Sequence, residues 1–343
     1  NIKILHIADM HMRHNGRLFY SSVKKINNGF IKNNFNVLQI SDRDNLKGNI
    51  LNYKKKSFIK TIYSNIDNFD PDIILFGHVD SLNQDDFYNI KLKYKKKLFS
   101  QWFLDSLDPS FVGHQDHLKR FFLKYQICDT NFITTNPEDL NFVDKDKTFF
   151  IPNMSDESID VLENYKFDNL KFDLFFALSH GQHRGILKKG FIDERYDFLN
   201  FFKDKNIKTN FFGTYRQPVW GSNFFDELSK SKMGLNLNRG NKIKYYSSDR
   251  ICSLMANGLT TFLQDGYFYN DFFKENEDAI YFTSKEELLD KVIFYSKNDN
   301  ERKKIGFNGK KKYFDEFNNV VVTKFMINKI IGSNNYIEKR WMR

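Results

Sequence analysis

The sequence predicts an α/β protein with two parallel sheets, and three observations lead to this fold class. Short apolar runs alternate with amphipathic helical patterns along nearly the whole chain, which is typical of βαβ units. The alternation stops once, at the polar stretch Met154–Leu170, and then begins again. The length of 343 residues is enough for two ordinary domains. We therefore expect two Rossmann-like parallel-sheet domains facing a central cleft.

The first half, residues 1–153, is expected to form one of these domains. Its opening order of strand, polar loop, helix near Val23–Asn33 and second strand implies parallel pairing. A second helix is predicted at Phe58–Phe69, and another before Cys128. The apolar runs that predict strands are Lys3–Asp9, Phe35–Ser41, Asp72–His78, Lys97–Phe103, Cys128–Thr135 and Lys147–Asn153.

The second half repeats the pattern after a linker at 154–170, so the second domain is expected at 171–319. Ser284, followed by Glu287 three residues later, predicts a capping box at the start of one helix. A last helix near Val320–Ile331 begins the segment 320–343, which we expect to pack back toward the first domain. Strands are predicted at Phe172–Leu178, Lys208–Gly213, Met233–Asn238, Leu259–Gln264 and Ala279–Ser284, and helices at 194–205, 222–232, 251–257, 285–299 and 300–318.

The composition predicts a globular protein with an anionic partner. Hydrophobic residues make up 41% and charged residues 28%, which excludes a disordered chain. The formal net charge of +10 suits nucleotide phosphates, nucleic acid or an acidic membrane surface. Two distant cysteines, Cys128 and Cys252, favour a reducing compartment without structural zinc. No apolar run approaches membrane-spanning length, so a cytoplasmic location is predicted.

The stretch Met233–Asp265 carries the strongest functional signal. It is predicted to form a strand, a basic loop, a helix and another strand. The loop supplies three cations, and N-cap formers precede the helix. Gly258 suits the C-terminal cap of that helix. A helix N-terminus beside cations, just past the end of a strand, predicts a phosphate site. The cations are Arg239, Lys242 and Lys244, and the cap formers are Ser247, Ser248 and Asp249.

Two other loops at predicted strand ends carry groups that bind anions or sugars. The loop SHGQHRG, Ser179–Gly185, combines glycines with side chains that donate to phosphate or carboxylate groups. In the loop HMRHNGRLFY, His11–Tyr20, the pair Asn15-Gly16 favours a tight turn. Both loops could instead be polar surface. The histidines of the first loop lack a nearby carboxylate pair, so no metal is predicted.

The second half of the chain resembles a known domain type. It is similar to the sugar-nucleotide-binding domain of B-type glycosyltransferases, the GT-B fold, in the group-1-like and spore-maturation-protein-like branch. The matching segments are FDLFFAL, SDRICSLMANGLTTFL, TSKEELLDKVIFY and NERKKIGFNGKKKYFDEFN, in that order. The first half matches only in its order of elements and in the hinge strand FFIPN. The combination of SHGQHRG, NLNRG and KYYSSDR further resembles the bacterial retaining β-Kdo transferases.

The resemblance implies a glycosyltransferase of bacterial cell-surface polysaccharide or lipopolysaccharide synthesis. Its most specific form is retaining transfer of Kdo, an acidic keto-sugar, from CMP-Kdo by double displacement, and an NDP-hexose donor is the alternative. The family commonly has a Glu shortly before the A-x-G turn, where it holds the donor ribose. Here Ser253 stands at that position, ahead of Ala256-Asn257-Gly258. The substitution favours an acidic-sugar donor over ordinary hexose transfer.

Under this resemblance, each candidate residue receives a role. Asp249 is the expected carboxylate nucleophile, since retention requires two inversions. Glu157 is the expected general acid/base, chosen over its neighbour Asp156 in the linker. The expected donor-binding residues are Ser179, His180, His183, Arg184, Arg239, Lys244, Tyr246, Ser247, Ser248 and Arg250. The expected acceptor-binding residues are Arg13, His14, Asn15 and Arg17. Most of these residues also suit plain structural roles, such as an N-cap, a solvated loop or core packing.

The expected partners are a nucleotide sugar and a glycan acceptor, with peripheral contact to the inner membrane. No cofactor and no metal are expected, because side chains and helix dipoles would balance the donor's charge. Two alternatives come from another class of function. One is a nucleic-acid-binding protein, although the chain lacks a clustered basic stripe or a recognisable motif spacing. The other is a catalytically inactive glycan-binding relative.

Overall fold

A computed structural model describes residues 2–44, 55–111, 113–179, 193–214 and 216–342. The chain forms two compact units. The first unit comprises Asn1–Asp156 and Asn319–Arg343, and the second comprises Glu157–Asn318. Each unit has its own parallel sheet, with six strands in the first and five in the second. The predicted class, α/β with two parallel sheets, is confirmed.

The sheet of the first unit has the strand order β2-β1-β3-β4-β5-β6, and every pairing is parallel. Its central strand β3 is apolar and buried along its whole length, which is typical of a parallel sheet that is covered on both faces. The strands are β1 Lys3–Ala8, β2 Asn36–Ser41, β3 Ile73–Phe76, β4 Leu98–Phe103, β5 Thr130–Ile133 and β6 Thr148–Phe150. The helices are α1 Ser22–Lys32, α2 Lys55–Phe69, α3 Gln84–Lys93, α4 His114–Tyr125 and, from the end of the chain, α10 Asn319–Ile330.

The sheet of the second unit has the order β11-β10-β9-β7-β8, again all parallel. Its core packs strand residues such as Phe176 and Leu235 against Leu288 and Val292 of a covering helix. The strands are β7 Phe172–Ala177, β8 Thr209–Phe212, β9 Ser231–Asn236, β10 Thr260–Gln264 and β11 Ile280–Phe282. The helices are α5 Glu194–Asn200, α6 Ser222–Ser229, α7 Arg250–Met255, α8 Lys285–Lys297 and α9 Asp299–Glu316.

Several elements differ from the sequence-based expectation. Helix α3 was not predicted, because only Phe87 and Ile90 of its ten residues are buried and its apolar periodicity is weak. Its signal was a capping box, in which Asn83 and Asp86 exchange side-chain-to-backbone bonds. Helix α5 ends at Asn200, five residues earlier than predicted, because the chain continues in turns.

The two predicted helix caps behave differently. Gly258 has φ +76°, and the amides of Gly258 and Leu259 bond the carbonyls of Met255 and Leu254, which is a Schellman motif. The predicted capping box at α8 is half formed. Ser284 Oγ accepts from the Glu287 amide, but the Glu287 carboxylate accepts from Thr283 instead. Bonds from Lys291 and Thr283 lower the pKa of Glu287 to about 2.

Among the helices of the described ranges, none is long and apolar enough to cross a membrane.

Candidate functional site

The carboxyl edge of the second sheet contains the point at which the strand order reverses. Strand β8 lies on one side of β7, and β9 lies on the other. In parallel α/β sheets, loops that leave the strands on either side of such a reversal diverge and open a crevice, which is where these sheets bind ligands. Arginines gather at this edge, and together they form what we call the arginine cluster: Arg195, Arg239 and Arg250.

Arg250 ties the ends of β7 and β9 together. Its Nε donates to the Ala177 carbonyl at 3.2 Å, and one terminal nitrogen donates to the Leu237 carbonyl at 3.1 Å and to Ser248 Oγ at 3.2 Å. The guanidinium lies over the Phe176 ring at 4.5 Å. Burial and the charge of Arg195 lower the pKa of Arg250. Arg250 thus places a partly desolvated positive charge at the strand-order reversal.

Arg195 and Arg239 complete the cluster. Arg195 is buried and makes a bidentate ion pair with Asp193, at 2.9 and 2.7 Å. Burial alone would raise the pKa of Asp193, but the bonds and charge of Arg195 outweigh it and hold that pKa below its usual value. Burial and the charge of Arg195 lower the pKa of Arg239. Arg195 therefore lies close enough to repel both Arg239 and Arg250, an arrangement that an incoming anion would relieve.

The loop after β9 carries Arg239 and is closely packed at its far end. Asn238 Nδ2 donates to the Tyr246 carbonyl at 3.1 Å and to Tyr269 Oη at 2.8 Å. Tyr246 is buried, so its ring packs in the core of the loop, whereas Lys244 lies over the Tyr245 ring at 4.9 Å. Ser247 is also buried, and its hydroxyl bonds Asn236 and the Ser248 carbonyl.

Asp249 stands at the N-cap of α7, as predicted, but its side chain makes no cap hydrogen bond. The carboxylate is exposed, so it can meet a ligand. Four residues later, Ser253 Oγ donates back to the Asp249 carbonyl at 3.3 Å. Helix α7 has only six residues, so its dipole is a smaller source of positive potential than the arginines.

The two linker carboxylates lie in different settings. Asp156 is fully buried in the first unit, where Asn28, Lys32 and Asn319 donate to it at 2.7, 2.9 and 2.9 Å. Asp156 therefore has a structural role. Glu157 is exposed in a turn at the start of the second unit.

The loop Ser179–Gly185 lies almost entirely outside the described residues. Ser179 is exposed just after β7, at the edge that carries the arginine cluster. The predicted donor-binding residues His180, His183 and Arg184 lie outside the described residues.

In the first unit, Arg13 is bound by carboxylates. Its guanidinium makes a bidentate pair with Asp9 at 2.5 and 2.8 Å, and Asp44 lies 3.6 Å away. Asp44 also accepts from the amides of Met12 and Arg13 at 3.0 and 2.8 Å. Most of the charge of Arg13 is thus balanced within the chain. The spacing of Asp9 and Arg13, four residues apart, was the signal for this pair.

The other acceptor-site candidates lie on the turn that follows. Asn15 and Gly16 both have positive φ, 51° and 81°, and the Arg17 amide bonds the His14 carbonyl at 3.1 Å. This is a type I′ turn, which the Asn-Gly pair predicted. Asn15 and Arg17 are exposed, and His14 is half-buried.

Two cations at the second sheet's edge were missed in the sequence. The sequence around Arg195 predicted a helix and no binding role. Its place in the arginine cluster depends on Arg239 and Arg250, which are distant in the sequence. Arg216 follows β8, where it stacks on Phe212 at 4.0 Å and donates to Asn210 at 2.8 Å. Across the described ranges, no group of three or more His, Cys, Asp or Glu could hold a metal ion.

Comparison with known protein families places the site in a wider context. Residues 195–328 match a family model described as glycosyl transferase-like, which covers less than half of the chain but includes the whole arginine cluster. A search of curated protein sequences found no match.

Solved structures match almost the whole chain. An α-glucosyltransferase in complex with UDP and mismatched DNA has a TM-score of 0.65 at 12% identity, covering 96% of this chain and 100% of that one. Sucrose-phosphate synthase from Thermosynechococcus elongatus has a TM-score of 0.60 at 10% identity, covering 96% and 98%. Anabaena HepE with UDP and glucose has a TM-score of 0.55 at 10% identity, covering 97% and 100%.

These structures confirm the predicted fold, and the family match supports the coarser prediction of a glycosyltransferase. None of the comparisons supports a β-Kdo transferase specifically, so the finer identification stays a prediction.

Proposed function

We propose that this protein transfers a sugar from a nucleotide-activated donor to a hydroxyl of a glycan acceptor. The arginine cluster at the strand-order reversal of the second sheet carries this proposal. It lies at a binding position typical of the fold, and it falls inside the segment that matches the glycosyl transferase-like model. Buried arginines at such an edge suit the phosphates of a nucleotide.

The arginine cluster would also contribute to the chemistry. When the bond between the anomeric carbon and the phosphate oxygen breaks, negative charge develops on the departing nucleotide. Guanidinium groups held in place before the reaction stabilise that charge without reorganisation. Arg250 suits this task because its contacts with the Ala177 and Leu237 carbonyls fix its position. Arg239, together with Lys244, Ser248 and Ser179, is proposed to bind the rest of the donor.

The proposed course of the reaction is double displacement with retention. The Asp249 carboxylate would attack the anomeric carbon and expel the nucleotide. The acceptor oxygen would then displace Asp249 while Glu157 takes the hydroxyl proton. The exposed Asp249 side chain, free of any cap bond, supports this role. The acceptor is proposed to bind at Arg13, His14, Asn15 and Arg17.

Two donors are in question. CMP-Kdo, for lipopolysaccharide synthesis at the cytoplasmic side of the inner membrane, rests on the sequence motifs and on Ser253. A UDP-hexose is favoured by a different observation, since structures with the same fold were solved with UDP and glucose. Calorimetry with CMP, UDP and GDP separates the two. Tighter binding of UDP or GDP than CMP would contradict the Kdo version.

Asp249→Ala tests the mechanism. We expect transfer to fall by about a thousandfold or more, because the nucleophile is gone. The nucleotide affinity should change by less than about threefold, because the phosphate-binding arginines remain. Nucleotide release and product anomeric configuration, followed by NMR, are the measurements. Asp290→Ala, an exposed carboxylate on α8, is the matched control. Near-normal transfer by Asp249→Ala would rule out the retaining assignment. If the unsubstituted protein binds nucleotide but turns over no donor, the inactive relative is favoured.

A further inference from the structure

Glu194 links two elements that carry arginines of the cluster, helix α5 with Arg195 and the loop after β9 with Arg239. It is the first residue of α5 and immediately precedes Arg195. Its Oε1 accepts a hydrogen bond from the amide of Gly240, 46 positions later, which immediately follows Arg239. Gly240 has φ +77°, a left-handed conformation that turns the loop at this point. One exposed carboxylate therefore holds the arginine-bearing end of the loop against α5.

The remainder of this loop is held by other means. At its far end the Tyr245 amide bonds the Tyr267 carbonyl at 2.9 Å, and Asn238 bonds Tyr246 and Tyr269. Asn238 immediately precedes Arg239, so its bonds hold the loop before that residue, and the Tyr245 bond holds the end that leads to α7. Just after Arg239, the bond to Glu194 fixes the backbone at Gly240.

Glu194 also acts on Arg239 through its charge. Burial and the charge of Arg195 both disfavour a charged Arg239, and the carboxylates of Asp193 and Glu194 oppose them. Asp193 is already engaged in its bidentate pair with Arg195. Glu194 thus offsets repulsion within the arginine cluster at the same position where it anchors the loop.

We propose that Glu194 is a positioning residue for the donor's phosphates: it orders the backbone at Gly240 and so aims Arg239 at the phosphate subsite. The proposal rests on the proposed function, because it takes the arginine cluster as the phosphate subsite. Glu194 itself repels phosphate, so it acts through the loop and does not contact the donor. The subsite is accordingly assembled before the nucleotide arrives, which reduces the entropy lost on binding.

The test compares ligands with and without phosphate. Glu194→Ala removes both the loop bond and the charge, whereas Glu194→Gln keeps an acceptor oxygen for the Gly240 amide. We expect Glu194→Ala to weaken UDP or CMP binding about tenfold, the size of one lost charge-assisted bond. Glu194→Gln should lose about threefold or less. Binding of the nucleoside alone should not change. Calorimetry supplies the dissociation constants.

Glu286→Ala is the matched control, because Glu286 is an exposed first-turn carboxylate of α8 in the same unit. Equal nucleotide affinity in Glu194→Ala and Glu286→Ala overturns the inference, as does an equal loss of nucleoside and nucleotide binding, which indicates a general structural defect. If the wild-type protein binds no nucleotide, the proposed function fails. If it binds nucleotide and Glu194→Ala binds equally well, only the role of Glu194 fails.

Discussion

At the residue scale, some polar side chains of this protein are exposed to a ligand and others have structural roles. The residue type alone does not distinguish the two groups. Asp249 and Asp156 were both candidates for catalysis. Asp249 is exposed at the start of α7, whereas Asp156 is fully buried among donors. Arg13 likewise stood out in the sequence, yet Asp9 and Asp44 balance it.

His6 shows how burial fixes a protonation state. Trp102 Nε1 donates to His6 Nε2 at 2.8 Å, and the indole nitrogen can only donate. The proton of the imidazole must therefore lie on Nδ1, which donates to Asn27 Oδ1 at 2.7 Å. Burial lowers the pKa of His6 from 6.5 to about 4, despite the bond to Asn27.

This shift predicts an acid-sensitive stability. Below pH 6.5 the histidine of the unfolded chain gains a proton, while His6 in the folded protein stays neutral until about pH 4. Stability is therefore lost as the pH falls through this window, by about 3 kcal/mol at most for this group. His6→Gln should lose less stability than wild type over the same window. Urea unfolding at pH 7, 6, 5 and 4 measures the free energy of unfolding of both proteins. The same dependence of that free energy on pH in both proteins would contradict the prediction.

At the element scale, the strands were predictable because most of them are short runs that are mainly apolar and buried. Most boundaries shifted by one or two residues and the end of β6 by three, and flanking polar residues such as Asp9 and Lys97 lie outside the strands. Helix α3 was missed because its stability comes from caps and two buried residues, and not from a broad apolar face. The arginine cluster could be predicted only in part, because Arg195 is distant from Arg239 and Arg250 in the sequence and only the fold brings them close together.

Gly258 is the residue that ends α7 and allows β10 to begin. Gly258→Ala should destabilise the second unit by about 2–4 kcal/mol, which combines the cost of positive φ with overpacking. The added Cβ would lie 2.7 Å from a ring carbon of Tyr165. Denaturant unfolding measures the loss, and hydrogen exchange at the Gly258 and Leu259 amides locates it.

Gly16→Ala is the control for this substitution. Gly16 has a similar φ of +81°, but a Cβ there would meet nothing within 4 Å. It should cost about 1 kcal/mol, which is the backbone term alone. Equal losses in the two variants would show that the contact with Tyr165 is unimportant.

At the scale of the whole molecule, the chain passes between the two units twice, at 156–157 and at 318–319. On the first-unit side, the residues at one crossing are hydrogen-bonded to those at the other. The Asn319 amide bonds the Ser155 carbonyl at 2.8 Å, and its side chain bonds Asp156 at 2.9 Å. Asn33 bonds the Val320 carbonyl at 2.9 Å, so α10 is held against α1 as well.

Asp156→Ala should therefore destabilise the first unit by about 2–4 kcal/mol, because the Asn319 side-chain amide and the Lys32 ammonium lose the buried carboxylate to which they donate. Asp315→Ala removes an exposed pair with Lys311 and should cost less than about 1 kcal/mol. Circular dichroism during chemical denaturation measures both. A loss at Asp156 no larger than that at Asp315 would contradict a structural role for the buried carboxylate.

The carboxyl edge of the second sheet, with its arginine cluster, is proposed to bind the phosphates of a nucleotide-activated sugar. The most direct measurement is a crystal structure of the protein with the tighter-binding of UDP and CMP. We predict phosphate oxygens within hydrogen-bond distance of Arg239 or Arg250, beside the ends of β7 and β9. A nucleotide bound elsewhere, with its phosphates away from all three arginines of the cluster, would contradict it.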